Sequence, residues 1–270
     1  MDLFQAALLG LLQALTEFLP VSSSGHLVIG QALLGVDMGG GIAFEVAVHL
    51  GTLLSVLVLL WRDVGQLFSA LGRLARSPGQ IAQQFQQDAQ VRLGVAILIG
   101  CLPAGVIGVL FKDEIEAAFG SVPLVAIGLI FTGCVLLATK LIPRGTAEVT
   151  PTRGLLIGLA QAVAILPGVS RSGSTIASAL FLRVQPEAAA RYSFLLSLPV
   201  VAGACLLKTL DLLKNPPSDD LLAALGVGAL VAFVGGLAAL KLVFAVVRRG
   251  WFPHFGWYCL AVGITTLVVY

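Results

Sequence analysis

Two short stretches hold most of the side chains in this sequence that could do chemistry together. In TEFLPVSSSGH (16–26) a carboxylate, Glu17, precedes three hydroxyls, Ser22, Ser23 and Ser24, then Gly25 and an imidazole, His26. In LPGVSRSGST (166–175) a guanidinium, Arg171, stands among Ser170, Ser172, Gly173, Ser174 and Thr175. A serine and glycine turn opening onto a helix N-terminus offers unpaired N–H groups and hydroxyls, which favour anions and phosphate in particular. The planar fork of an arginine matches phosphate oxygens. A carboxylate can act as a base or hold a divalent cation that bridges phosphates. A serine, a histidine or an activated water can attack phosphorus, and an imidazole can also activate a serine or protonate a leaving group. The common denominator is phosphoryl chemistry, with the nucleophile open among Ser, His and water.

Each of these residues also has a plainer role. Arg171 in apolar surroundings needs a partner, and Glu17 could be that partner without any ligand; the two roles are compatible if Glu17 holds Arg171 while the site is empty. A lone histidine is commonly structural, but His26 shares its stretch with a carboxylate and three hydroxyls. Gln13 and Glu17 are four apart and share a helix face, as do Glu45 and His49 in FEVAVHLG. Gln13, Glu45 and His49 are read as support around the site rather than as its chemistry.

The elements that must position these groups are membrane helices. The 270 residues are 58% hydrophobic and 11% charged, with a mean hydropathy of +0.99, which excludes a soluble globular domain. Six apolar runs are long enough to cross a bilayer: 44–61, 91–111, 122–142, 188–207, 221–247 and 253–270. Residues 3–19 and 154–166 are apolar but end at Pro20 and Pro167, and each is followed by a polar cluster and a second short apolar piece, 27–35 and 175–182. At 1.5 Å per residue the 154–166 piece spans only about 20 Å, short of a crossing. The expected fold is all-α and polytopic, one membrane domain over 1–270 with about six transmembrane helices and two re-entrant helical hairpins.

The hairpins also repeat. GLLQALTEFLPVSSSG (10–25) and GLAQAVAILPGVSRSG (158–173) match at an offset of 148 residues, sharing Gly, Leu, Gln, Ala, Val, two Ser and Gly. The repeats are expected over about 1–111 and 150–247, with 253–270 as an added C-terminal helix. Arg62, Arg73, Arg76, Arg92, Lys140, Arg144, Arg153, Arg248 and Arg249 mark one set of loops as cytoplasmic. The loops 112–121 and 208–220, richer in Asp and Glu, go outside. Hairpin one then enters from the outer face and hairpin two from the cytoplasmic face, an inverted-topology repeat whose site lies near the midplane.

The acid in MDLFQAALLG does not suit a cleavable signal, so the N-terminus is expected to be retained. Cys101, Cys134, Cys205 and Cys259 lie singly in apolar runs and read as small buried hydrophobes. A net charge of +2 without any long run of like charge gives no reason to expect nucleic acid. The glycine-rich run GVGALVAFVGG (226–236) permits close helix packing, within the chain or in a homodimer.

QALTEFLPVSSSGHL (13–27) and LPGVSRSGST (166–175), with FEVAVHLGTLL and YSFLLSLPV, resemble the undecaprenyl-diphosphate phosphatase family of bacterial inner membranes, the group associated with bacitracin resistance. The resemblance covers essentially the whole chain. It implies hydrolysis of a polyprenyl diphosphate to the monophosphate and inorganic phosphate, recycling a lipid carrier for peptidoglycan and other envelope polymers; the loop charges set out above open the site to the outer, periplasmic face. It further implies that Glu17 and His26 are a catalytic acid/base pair and that Ser23 is a nucleophile or phosphate ligand. Arg171, with Ser170, Ser172 and Thr175, would bind the diphosphate, Ser22, Ser24, Gly25 and Gly173 would form the cradle, and magnesium or calcium would be required. The family's first motif often reads Glu-x-x-x-Glu; Gln13 takes the first position here, which leaves Glu17 as the carboxylate for a metal. The competing expectation is a transporter or flippase of a polyprenyl phosphate, because inverted repeats with broken helices are also a transporter architecture.

Overall fold

A computed structural model describes residues 1–34, 41–214 and 219–270. Its α-helices, in chain order, are α1 (Leu3–Phe18), α2 (Ser23–Leu34), α3 (Gly41–Leu59), α4 (Trp61–Arg76), α5 (Ile81–Gln87), α6 (Ala89–Leu110), α7 (Lys112–Phe119), α8 (Val122–Ala138), α9 (Pro151–Val163), α10 (Arg171–Phe181), α11 (Pro186–Lys214), α12 (Asp219–Arg249) and α13 (Phe255–Val269). Five stretches are long and apolar enough to cross a membrane: Ala89–Leu110, Val122–Leu141, Pro186–Leu210, Leu221–Arg249 and Phe252–Val269. α3 and α4, separated by an 80° bend, are long and apolar enough for a sixth crossing only when taken together. The protein is a multi-pass membrane protein. Position 35 of the expected second arm and positions 215–218 of the expected outer loop lie outside the described residues.

α1 and α9 are the short members. Their 16 and 13 residues reach only about 24 and 20 Å at 1.5 Å per residue. Each reverses at its proline into α2 or α10. These return helices start earlier than their apolar content suggests, at Ser23 and Arg171 rather than at 27 and 175. The serine and glycine clusters are the first helical turns themselves. Ser170 caps α10 by accepting from Gly173 N–H at 3.0 Å, and Ser22 accepts from Gly25 N–H at 3.4 Å, so a capped start replaces a loop.

The region 62–92 also departs from expectation. It reads as a basic loop, yet it contains α4 and α5. α4 is bent 80° from α3, and its Val64, Leu67, Phe68, Leu71 and Leu74 recur at helical spacing. Leu67 and Ala70 are buried while Trp61 and Phe68 are exposed, the pattern of a helix lying along the membrane surface.

Helix directions follow from close approaches at glycine. A Cβ on Gly158 would collide with the Gly100 carbonyl, and one on Gly154 would meet Ala96, so α9 runs parallel to α6. Tyr192 donates to the Ala96 carbonyl at 2.7 Å and Cys101 approaches the Leu196 carbonyl, so α11 runs the same way. In the other half Gly10 meets Gly228 and Gly235 meets Ala14, while Gly228 meets Phe44 and Gly236 meets Ser55. α1, α3 and α12 are therefore mutually parallel. Lys208 of α11 meets Glu45 near the start of α3 and Arg191 meets Asp63 just past its end, so α11 runs against α3, the two sets run in opposite directions, and the hairpins point oppositely. The duplication is inverted.

The halves are also interleaved. α1 packs along α12 of the second half, and α9 packs along α6 of the first. Part of the glycine-rich run is thus used inside the chain, through Gly228, Gly235 and Gly236. Replacing Gly158 by valine should force α9 off α6 and destabilise the fold by about 1–3 kcal/mol, the cost of overpacking. A thermal melt in detergent checks this, and an unchanged melting temperature would contradict the packing.

One end of the bundle gathers Arg62, Arg73, Lys140, Arg144, Arg248 and Arg249. Trp61, Trp251 and Trp257, all exposed, sit there with Arg62, Arg249 and Lys140 over their rings at 5.5, 5.3 and 6.0 Å. Aromatics and cations together mark a membrane–water interface. α7, with Asp113, Glu114 and Glu116, lies at the opposite end.

Candidate active site

The hairpin tips meet. Ser172 donates its hydroxyl to the Leu19 carbonyl at 3.2 Å, and Cys259 of α13 reaches the Pro20 carbonyl. The second tip is held by α8, where Thr132 accepts from Ser170 N–H at 3.0 Å and donates to the Gly168 carbonyl at 3.2 Å. Gly168 has φ +81°, and a Cβ there would run into the Val125 backbone, so this close approach requires glycine. The first tip turns instead at Ser22, with φ +68°, a left-handed conformation that costs a serine roughly 1–3 kcal/mol.

At the junction Glu17, only 7% exposed, is the hub. One carboxylate oxygen pairs with Arg171. The other accepts from Ser23 Oγ at 2.6 Å and from Gln13 Nε2 at 3.0 Å. Ser23 and Arg171 occupy equivalent places in the two repeats, each the first residue of its return helix. The equivalence extends to the flanking hydroxyls, with Ser22–Ser24 and Ser170–Ser172 oxygens both 3.3 Å apart.

A cavity of about 260 Å³ opens beside this junction, lined by Glu17, Ser22, Ser23, Ser24, Ser170 and Arg171 among others. It extends to Glu45, Phe119 and Lys208, and so toward the end of the bundle that carries α7. Lys208 Nζ lies 3.5 Å from Glu45. Ser172, Gly25, Gly173 and Thr175, expected on the phosphate cradle, are not on its wall. Helical rotation turns them into the protein, where Thr175 is bound to Ser193 at 2.6 Å and to the Arg171 carbonyl at 2.7 Å.

His26 also faces away. Its Nδ1 is 2.8 Å from the Ser22 carbonyl, which can only accept, and its Nε2 is 2.8 Å from the Tyr258 hydroxyl. The neutral ring therefore donates from Nδ1 and accepts at Nε2, which commits both nitrogens to holding α2 against α13. The imidazole in the cavity wall is His49. Its Nδ1 is 2.7 Å from the Glu45 carbonyl, and its Nε2 lies 3.7 Å from Glu17.

A family model described as Bacitracin resistance protein BacA matches residues 6–265. The chain belongs to the BacA family. A Salinibacter ruber protein named undecaprenyl-diphosphatase is 44% identical over 97% of both chains. A Bacteroides fragilis protein of the same name is 40% identical over 100% of this chain and 98% of its own. A third, from Desulfosudis oleivorans, is 41% identical over 99% of this chain and 98% of its own.

One residue of this BacA-family cavity was missed from sequence, although the repeat comparison contained its signal. Gln161 matches Gln13 at the 148-residue offset. It lines the cavity at 2% exposure, and neither its amide oxygen nor its nitrogen has a protein partner. A buried, unpartnered amide costs roughly 1–3 kcal/mol for each group left unmade, so a cavity wall is where it can find a ligand. Gln13 likewise keeps a buried, unpartnered carbonyl oxygen beside Glu17.

Proposed function

We propose that the chain hydrolyses a polyprenyl diphosphate, undecaprenyl diphosphate by the names of its relatives, to the monophosphate and inorganic phosphate. The observation that carries this reading is the Ser23 hydroxyl held at 2.6 Å on Glu17 while Arg171 occupies the other carboxylate oxygen. A nucleophile, its base and a phosphate ligand converge where two helix N-termini meet. The cavity admits a diphosphate head but not a polyprenyl tail, which stays between helices in the bilayer.

In the mechanism that follows, the incoming diphosphate draws Arg171 from Glu17 onto its terminal phosphoryl oxygens. Gln161 meets the same head group. Freed of its ion pair, Glu17 takes the Ser23 proton as Oγ attacks the terminal phosphorus. The Oγ–P bond forms, the bridging P–O bond breaks, and the polyprenyl monophosphate leaves with the proton that Glu17 returns to it. Water then attacks the phosphoserine, Glu17 takes a proton from that water and hands it to Ser23 Oγ as the Oγ–P bond breaks, and phosphate departs with the Ser23 hydroxyl and the Glu17 carboxylate restored. His26 acts by fixing the turn that carries Ser23, not by touching substrate.

Glu17, Glu45 and the free Gln13 carbonyl oxygen offer hard oxygen donors, and magnesium or calcium needs only one or two carboxylates when substrate phosphates and water complete its shell. Among the described residues no three His, Cys, Asp or Glu side chains converge on one point, so such an ion would be held jointly with substrate. Bound there, it would neutralise phosphate charge. We place the protein in the bacterial inner membrane with the basic end cytoplasmic, which opens the cavity to the periplasm; the charge asymmetry supports this.

Purified protein in detergent, where no two compartments exist, should release phosphate from a polyprenyl diphosphate. Binding without release would reject hydrolysis in favour of transport. Replacing Gln161 by leucine should raise KM roughly tenfold, from one lost hydrogen bond to a charged group, with a smaller change in kcat. An unchanged KM would remove Gln161 from the substrate site.

A further inference from the structure

A second cavity, of about 860 Å³, lies at the basic end of the bundle, where α4 leaves α3. Arg62 of α4, Arg191 of α11 and Lys241 of α12 converge on it. The carboxylate among them is Asp63, which holds Arg191 at 2.5 Å, so the lining is cationic on balance. Lys241 has no carboxylate partner among the described residues, although it stands eight residues before Arg249, about 12 Å inside the helix end at 1.5 Å per residue. A lysine at that depth needs an anion or an aqueous route. The floor of the cavity is apolar, with Leu59, Leu93 and Phe244, and Trp61 stands at its edge. The surface helix α4 forms one side.

Cations above an apolar floor, at the bilayer surface and beside an interfacial helix, complement a ligand with an anionic head and apolar chains. We propose that this cavity binds the head group of an anionic diacyl phospholipid, with Arg62 and Lys241 on the phosphate and an acyl chain against Phe244 and Leu93. Arg191, tied to Asp63, shapes the wall. A soluble anion would satisfy the cations and leave the apolar floor wet; a zwitterionic lipid would bring its own cation to a cationic site. The cavity shares no lining residue with the one at the hairpin junction.

The test uses the full-length protein, delipidated in a neutral detergent and titrated separately with phosphatidylglycerol, phosphatidylcholine, inorganic phosphate and a polyprenyl monophosphate. Bound lipid is read by native mass spectrometry and stability by thermal melt. Phosphatidylglycerol should bind and raise the melting temperature, and phosphatidylcholine should not. The Arg62→Ala, Lys241→Ala double variant, which leaves Asp63 and Arg191 intact, should melt like the parent without lipid but bind phosphatidylglycerol roughly twentyfold more weakly, the loss of two near-surface cations. Equal binding of both phospholipids, undiminished phosphatidylglycerol binding by the double variant, the same stabilisation from inorganic phosphate, or a preference for the polyprenyl phosphate alone would each overturn the assignment. If the double variant fails to fold, Lys241→Gln alone should weaken phosphatidylglycerol binding roughly fivefold, and no change would count equally against it.

Discussion

Replacing Arg171 by alanine is expected to lower phosphate release from a polyprenyl diphosphate by about a thousandfold or more, the scale on which an arginine stabilises a phosphoryl-transfer transition state. In the proposed mechanism the side chain has two functions at one point. Without substrate it neutralises Glu17, a carboxylate at 7% exposure; with substrate it neutralises the phosphate. Alanine removes both, leaving Glu17 with Ser23, Gln13 and the more distant His49. A variant that loses turnover but also melts early would leave the second function in doubt, so Arg171→Lys is the companion. Lysine restores the charge without the fork and should recover stability while leaving turnover at least tenfold down, since a point charge cannot make the bidentate contact. Near-normal turnover in Arg171→Ala would dismiss the shared-site reading.

Ser23→Ala should be comparably severe, about a thousandfold or more, because removing the nucleophile of a coupled set exposes only the residual catalysis of the other groups. It is also the cleaner experiment. Ser23 is partly exposed to the cavity, its hydroxyl binds Glu17 alone, and alanine is a good residue for a first helical turn. Stability should therefore hold while turnover falls. Rapid quenching of the parent with labelled diphosphate should trap phosphate on Ser23, and Glu17→Gln should slow formation of that adduct. If Ser23→Ala turns over at a tenth of the parent rate, the attacking group is water and Ser23 merely orients it.

The hairpins were legible because proline and a polar cluster inside an apolar run leave few alternatives at membrane depth, and the Glu17–Arg171 pairing followed from the cost of burying either charge alone. The opposite directions of the two halves relative to one another were legible through loop charge. The orientation of His26 was not, because it depends on Tyr258, 232 residues away, on a helix that sequence pattern describes only as apolar. Gln161 went unnoticed for a related reason: an amide in an apolar run reads as one more tolerated polar residue until its missing partners are seen. The helical start at Ser23 and Arg171 was hidden because serine and glycine signal caps and turns equally well. α4 was legible, in the spacing from Val64 to Leu74, but Arg62, Arg73, Arg76 and Arg92 in the same region drew the reading toward a loop.

The equivalence of positions 23 and 171 bears on how such a protein could arise. A half-length ancestor could build this junction only as two copies inserted in opposite senses, each lending its hairpin to the other. In that assembly both equivalent positions would carry the same residue, two hydroxyls or two guanidinium groups, and the Glu17 position would be doubled as well. Fusion into one chain lets Ser23 and Arg171 diverge, and with them Glu17 from Ile165 and His26 from Ser174. In the proposed mechanism the attacking group and the charge that receives its target are thus the same structural position, made different by covalent linkage of the two halves.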